Sequence, residues 1–536
     1  MIERRDFLKF TLGGVAMGQL APGLGRDGKN TSPFTLASSA NAEEATTPAP
    51  KSPSSGFTLG EAKPFEPANV TEAARALARQ AYKPLRQPLP DVFAALSHDQ
   101  YGTIYAKPGT ALWAGDNLGF AIEPLHRGFI FSDPMEINIV EHGAARRLVY
   151  DQAQFAFGKL AVPNAMGDIG FSGFRILVPQ DAQNFGALAT FQGASFFHAI
   201  ARGQSEGVTA RALSIKTADP RGEEFPAIRA IWIETPTLAE NALTLHALID
   251  SESVAGAYRF TLHPSEATII DTECTLFART NVDRFGLATM TGAHLLAPVD
   301  QRHMDDLRPQ VSEVGGLAML SGRGEWLWRP VANRETLQIS VFTDEKPHGF
   351  GFLQRDRAFD AFQDDFQHWE TRPSLWIEPI GEWAAGALQL IEIPSDAEIN
   401  DNILAFWQPR QALAPGSETS FAYRQFWCWT PPVSPPLAIT TASRQGHGSA
   451  ARRRRFLVQF TGPGLADPQK IKDVKPNLTA TPGTILDMRT FALPERQSYR
   501  IVFELDPGTE TTSEMRLVLE VAGVPISETW LYRWTP

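Results

Sequence analysis

Past residue 82 the chain is written in short apolar or alternating runs, such as Arg147-Leu148-Val149-Tyr150 and Gly173-Phe174-Arg175-Ile176-Leu177-Val178. Gly, Pro, Asn and Asp separate these runs about every 8 to 12 residues, the spacing of strands joined by turns. Long helical periodicity is scarce. One helix is expected over Val70 to Tyr82, where Ala74, Leu77, Ala78 and Ala81 fall on one face and Asn69 can cap the start. Near the C-terminus, Phe456–Phe460, Tyr499–Phe503 and Met515–Val521 read as strands, with turn signals at Pro463-Gly464 and Pro507-Gly508. The pattern predicts a mostly β protein of packed sheets.

Organisation follows from shifts in composition. Residues 43–68 are rich in Pro, Ser and Ala and are expected to be a flexible lead-in. The Pro-rich segment 431–436 divides a large β unit, 69–430, from a smaller β-sandwich, 431–536. The 40 prolines and 42 glycines fit turn-rich sheets. No short internal repeat is found.

The N-terminus adds an address. Arg4-Arg5-Asp6-Phe7-Leu8-Lys9 is followed by a weakly apolar stretch from Phe10 to Leu24 and a small-x-small pattern at Ala40-Asn41-Ala42. Residues 1–42 therefore read as a twin-arginine export signal, which directs the mature chain to the periplasm. No other stretch reaches about 18 uninterrupted apolar residues, so no membrane span is expected. Losing five basic and three acidic groups with the leader moves the net charge from -11 to -13. An acidic surface argues against nucleic acid as a partner. The run Arg452 to Arg455 is a local exception and reads as the solvated lead-in to a strand. Cys274 and Cys428 are either a disulfide or two buried thiols, and with scattered His they offer no metal-ligand spacing. Neither a metal nor a cofactor is expected.

No phosphate loop, dinucleotide fingerprint, nucleophile elbow or zinc-protease motif is present. Candidate chemistry concentrates between residues 322 and 407, where Trp326, Arg372, Trp376, Glu378, Trp383, Asp401 and Trp407 accumulate. Indole faces stack on pyranose rings and planar polar side chains bond hydroxyls, so this composition suits a sugar groove. The competing reading is that each tryptophan is core, which for any single one is the commoner fate.

This stretch also resembles a known family. Arg372-Pro373-Ser374-Leu375-Trp376-Ile377-Glu378-Pro379, Ile393-Pro394 and Asp401-Asn402-Ile403 are similar to the G and D proteins of periplasmic glucan biosynthesis. Further matching blocks are Gly167–Phe174, Gly193–Phe197, Glu223–Pro226, Gly256–Tyr258 and Ile526–Trp530. The leader and the ending Glu528-Thr529-Trp530-Leu531-Tyr532 look closer to the D branch. The resemblance implies a large N-terminal β-sandwich of the galactose-mutarotase-like type and a smaller immunoglobulin-like C-terminal β-sandwich. It implies β-1,2-glucan as the ligand, with the inner-membrane glucan synthase as a further candidate partner. It implies an inverting glycoside hydrolase or transglycosylase; the alternative, which the same Trp-rich groove would serve, is a non-catalytic organiser of nascent glucan chains. Asp401 is the implied general acid. D-branch proteins carry a His-Asp-Ser-Asp stretch after an Arg-Pro pair; here Arg308-Pro309 is followed by Ser312-Glu313-Val314-Gly315, which puts Glu313 at the position of the base. Trp326, Arg372, Trp376, Glu378 and Trp383 are the candidate substrate-binding residues.

Overall fold

The computed structural model describes residues 57–536 apart from 165, 182–183, 238 and 301–304. The expected twin-arginine signal, 1–42, lies outside these residues, as does most of the expected lead-in. Strands dominate. A sixteen-stranded sheet runs from Thr58–Pro64 through the antiparallel series Ala227–Glu234, Leu243–Asp250, Val254–His263, Thr268–Ala278 and Glu418–Cys428 to Lys475–Thr481 near the C-terminus. A ten-stranded sheet, from Gln338–Asp344 across to Ala121–Leu125, packs against it.

The core between the two sheets follows from alternation. Phe174, Ile176, Phe191, Phe197, Ala210 and Met290 point inward from the second sheet and meet Leu245, Tyr258, Phe260 and Trp427 of the first. Rings of Phe191, Phe197 and Phe260 lie 4.9–5.5 Å apart. The intervening residues of the same strands, including Arg175, Thr190, His198 and Arg211, are thereby turned to the outer face of the ten-stranded sheet.

Two local expectations are corrected. The flexible lead-in ends sooner than residue 68, because Thr58–Pro64 pairs with Ala144–Val149. Phe57 and Phe65 are buried, and Phe65 stacks on Trp232 at 5.7 Å; the Pro- and Ser-rich residues before them mask these anchors in a composition average. The helix runs Pro67–Ala78, one turn earlier than expected, with Glu66 at the cap position. Asn69 is its partner three residues in, with Oδ1 accepting from the Glu66 N–H at 2.7 Å. Asn69→Ala is expected to lower stability by about 1 kcal/mol, read by urea denaturation.

The three C-terminal runs lie in strands Arg454–Thr461, Ser498–Asp506 and Ser513–Val521. A four-stranded sheet, ordered Ile439–His447, Arg454–Thr461, Ser498–Asp506, Thr484–Leu493, faces the end of the long sheet. Thr529–Trp534 pairs in parallel with Trp326–Pro330, so one sheet runs from the large sandwich into the small one. The arginine run is structural: Arg453 and Arg455 reach Asp506 and Glu504 at 2.9 and 2.5 Å. Both cysteines are buried free thiols. No helix among the described residues is long and apolar enough to cross a membrane.

Candidate active site

Asp401 and Glu313 are brought together around one extended segment. The strand Phe285–Gly292 carries a bulge at Ala288, whose φ is 49°. Beyond it Met290 enters the core while Thr291 faces outward. Thr291 Oγ1 donates to Asp401 Oδ2 at 2.6 Å, and the Ala293 N–H donates to Glu313 Oε2 at 3.2 Å. Gly292 stands between them because a Cβ there would come within 2.6 Å of the Val314 side chain. The loop bearing Asp401 is held by Asn402, whose Oδ1 accepts the His294 N–H at 2.8 Å and whose Nδ2 donates to the Ile393 carbonyl at 3.0 Å.

Both carboxyl groups are buried, and each holds its proton more tightly than usual. For Asp401, burial comes first and the neighbouring Glu313 second, only partly offset by the Thr291 hydroxyl, Arg211 and Arg372. For Glu313, burial raises the pKa, while Arg372, the Ala293 N–H and His198 pull it back. The two titrate as a pair. The cations and the donor nearer Glu313 favour its anion, so Asp401 keeps the proton longer.

Arg372 is the link to the surroundings. It lies 3.7 Å from Glu313 Oε1, packs over the Trp369 ring at 5.1 Å and donates to the Glu206 carbonyl and to Gln367 Oε1. Glu206 is in turn 3.4 Å from His198. Burial opposes ionisation of Glu206, but His198, Arg175 and Arg372 together keep its carboxyl below the ordinary range. On the other side Arg211 pairs with Glu223 at 2.6 Å, packed on Phe196 and Phe225.

From this centre a row of polar residues crosses the outer face of the sheet. Register matches Glu123 to Arg175, Arg175 to Thr190, Thr190 to His198, and Thr209 to Thr291. Five strand steps at about 4.8 Å make the row roughly 24 Å long. Several buried polar atoms near it have no hydrogen-bond partner within the protein: Thr190 Oγ1, Arg211 Nε, Glu223 Oε2 and Arg372 Nε. Buried groups of this kind are normally satisfied, so this face holds polar capacity that the protein itself leaves unused.

Of the five residues expected to bind substrate, Arg372 alone reaches this site. Trp326 and Trp376 stack on each other at 5.7 Å inside the core shared with Phe456, Trp530 and Trp534. An indole whose faces are covered by protein cannot stack on sugar, so Trp326 and Trp376 are core residues and not part of a sugar groove. Glu378 accepts from Trp376 Nε1 at 3.2 Å on that same side of the long sheet. Trp383 is buried against Trp407 and Tyr423 and borders a separate cleft of about 820 Å³. It lies at the opposite end of strand Gly386–Glu392 from Asp401, about 20 Å away along the chain direction. Missed were Thr291, His198, Glu206, Arg211 and Trp369. The blocks Gly193–Phe197 and Glu223–Pro226 flank several of them and were the available signal. No group of His, Cys, Asp and Glu suited to a metal ion occurs among the described residues.

Fold and site thus define a β-sandwich protein with a buried carboxyl pair at the end of a polar track. The chain belongs to the periplasmic glucan biosynthesis protein family: the family model described as "Periplasmic glucan biosynthesis protein, MdoG" matches residues 65–534. Glucans biosynthesis protein G of Vibrio cholerae serotype O1 is 42% identical over 476 residues, covering 88% of this chain and 87% of that protein. Glucans biosynthesis protein G of Shewanella sp. (strain MR-4) is 41% identical over 525 residues, covering 94% and 95%. These relatives overturn the D-branch placement: the chain sits with the G proteins. A galactose mutarotase related enzyme from Lactobacillus acidophilus is similar at 8% identity and a TM-score of 0.20, over 44% of this chain and 96% of that one. Membership gives the protein a role in periplasmic glucan synthesis and a periplasmic location.

Proposed function

We propose that this protein acts on the β-1,2-linked backbone of periplasmic glucan as an inverting glycoside hydrolase or transglycosylase. The observation that carries the reading is the unequal, buried pair Asp401 and Glu313. Asp401 donates its proton to the glycosidic oxygen as the C1–O bond breaks. Glu313 takes a proton from the water, or from the acceptor hydroxyl, that attacks C1 from the opposite face. The cycle closes when solvent returns the proton to Asp401 and removes one from Glu313. The two groups are anchored two residues apart on one segment, at the Thr291 hydroxyl and the Ala293 N–H, which supports their acting on one bond. For the base, the support is that Glu313 is a buried carboxyl beside Asp401 with Arg372 3.7 Å away to favour its anion. Export by the Arg4-Arg5 leader belongs to the same proposal.

Purified mature protein incubated with linear β-1,2-glucan is expected to change its chain-length distribution. Binding without any such change would favour the non-catalytic organiser. Thr291→Val removes a hydrogen bond that lowers the Asp401 pKa. The alkaline limb of the pH–rate profile is therefore expected to move to higher pH, while Thr291→Ser keeps it in place.

A further inference from the structure

Three loops converge on one guanidinium at the edge of the site. Arg308 bonds Asp306 at 2.8 Å, Asp364 at 2.7 Å and Glu398 at 2.7 Å. Asp364 spends its remaining capacity on the next turn, accepting the N–H groups of Phe366 and Gln367 at 3.0 Å each and Trp369 Nε1 at 2.9 Å. Gln363 and His368, on either side of this turn, have φ of 51° and 48°, a left-handed conformation that the surrounding bonds must hold. The turn is therefore built by main-chain bonds and charge. It does not rest on apolar packing of its own tip.

That tip is Phe366, which is 92% exposed; Leu307 and Ile399, on the other two loops, are 93% and 55% exposed. Their neighbours in sequence are site residues. Gln367 binds Arg372 through both its carbonyl and its side chain, and Ile399 precedes Asp401 by two positions. The three loops are thus tied to the residues around the carboxyl pair, and the backbone that carries the exposed Phe366 ring is fixed by Asp364. One guanidinium against three carboxylates leaves this edge acidic, which disfavours an anionic lipid or an acidic peptide. A neutral ring with an apolar face and polar edges suits it: the apolar face on Phe366, the hydroxyls toward the polar row.

We propose that Phe366, flanked by Leu307 and Ile399, is a stacking ledge for a pyranose unit of the glucan lying outside the carboxyl pair. This rests on the reading of the groove as a glucan site. The test is calorimetric titration of linear β-1,2-glucan into the full mature chain carrying Asp401→Asn, so that turnover does not interfere. Adding Phe366→Ala is expected to weaken binding by about 3- to 10-fold, and Phe366→Trp to retain or tighten it. Equal affinity in all three forms, with Arg372→Ala still weakening binding, overturns the ledge and leaves the groove standing. No binding by any form overturns the groove reading and the ledge with it. Unchanged glucan affinity together with loss of self-association in Phe366→Ala, by sedimentation, also overturns it and assigns the patch to a contact between copies of the chain.

Discussion

Replacing Asp401 by asparagine is expected to lower turnover of β-1,2-glucan by about 10²- to 10⁴-fold, the usual contribution of a general acid. Asparagine retains an acceptor for the Thr291 hydroxyl, so the loop keeps its main restraint while the transferable proton is lost. Binding in the groove should persist, because Arg372, His198 and Arg211 are untouched. The substitution also has a signature that does not depend on catalysis. The Asp401 pKa is raised by burial and by Glu313. A carboxyl with a raised folded-state pKa stabilises the fold at low pH, and that contribution is lost as pH rises from the ordinary carboxylate range toward the folded value. Asparagine removes this loss. The melting temperature of Asp401→Asn relative to the parent chain should therefore increase between pH 4 and neutrality, as followed by thermal denaturation. Unchanged turnover would show that Asp401 is not the acid. A flat difference in melting temperature would show that its carboxyl is not held protonated.

Removing Glu392 is expected to have the largest effect on stability. This side chain is fully buried, with Oε2 at 3.0 Å from Arg329 and 3.6 Å from Arg334, and Oε1 accepting the Ala332 N–H at 2.8 Å. Both arginines also lie over the Tyr532 ring, at 5.4 and 5.0 Å, so the cluster sits where the two sandwiches meet. Glu392→Ala leaves two guanidinium groups buried without their carboxylate, and a cost of about 3–5 kcal/mol follows. Glu392→Gln keeps an acceptor for the Ala332 N–H but not the charge, and should fall between. The pH dependence has the opposite sign to that of Asp401. Burial opposes the Glu392 anion, but Arg329, Arg334, the Ala332 N–H and His294 bring its pKa below the ordinary value. Its stabilisation is therefore present above the unfolded-state pKa and lost as pH falls through the folded one. Denaturant midpoints measured at pH 7 and pH 4 should show the variant's deficit shrinking in acid. Glu392 is paired in register with Ile403, two residues past Asp401, so some loss of activity should accompany the instability.

Much of the fold was legible along the chain. Alternation placed strands at 173–178, 456–460, 499–503 and 515–521, and each lies within an observed strand. Turn residues marked Pro507-Gly508, where Gly508 has a φ of 61°. Such features depend on neighbours a few residues away, and short-range patterns record them. The family's blocks were equally readable, and with them Asp401 and Arg372.

Tertiary structure decided the rest. A period of two tells which residues share a face of a strand, and not whether a second sheet covers that face. Trp326 and Trp376 look like stacking platforms until the C-terminal sandwich is laid over them, and Trp383 belongs to a different end of the molecule. Glu313 could be aligned on Asp401 only by register, since 88 residues separate them in sequence. Their meeting depends on Thr291 and Ala293, whose direction is set by a bulge at Ala288. His198 and Arg211 come from two neighbouring strands and Glu206 from the loop between them, and only the folded sheet brings them beside the carboxyl pair. Local chemistry is written in the sequence, whereas burial, charge coupling and the joining of distant strands are long-range properties of the packed chain.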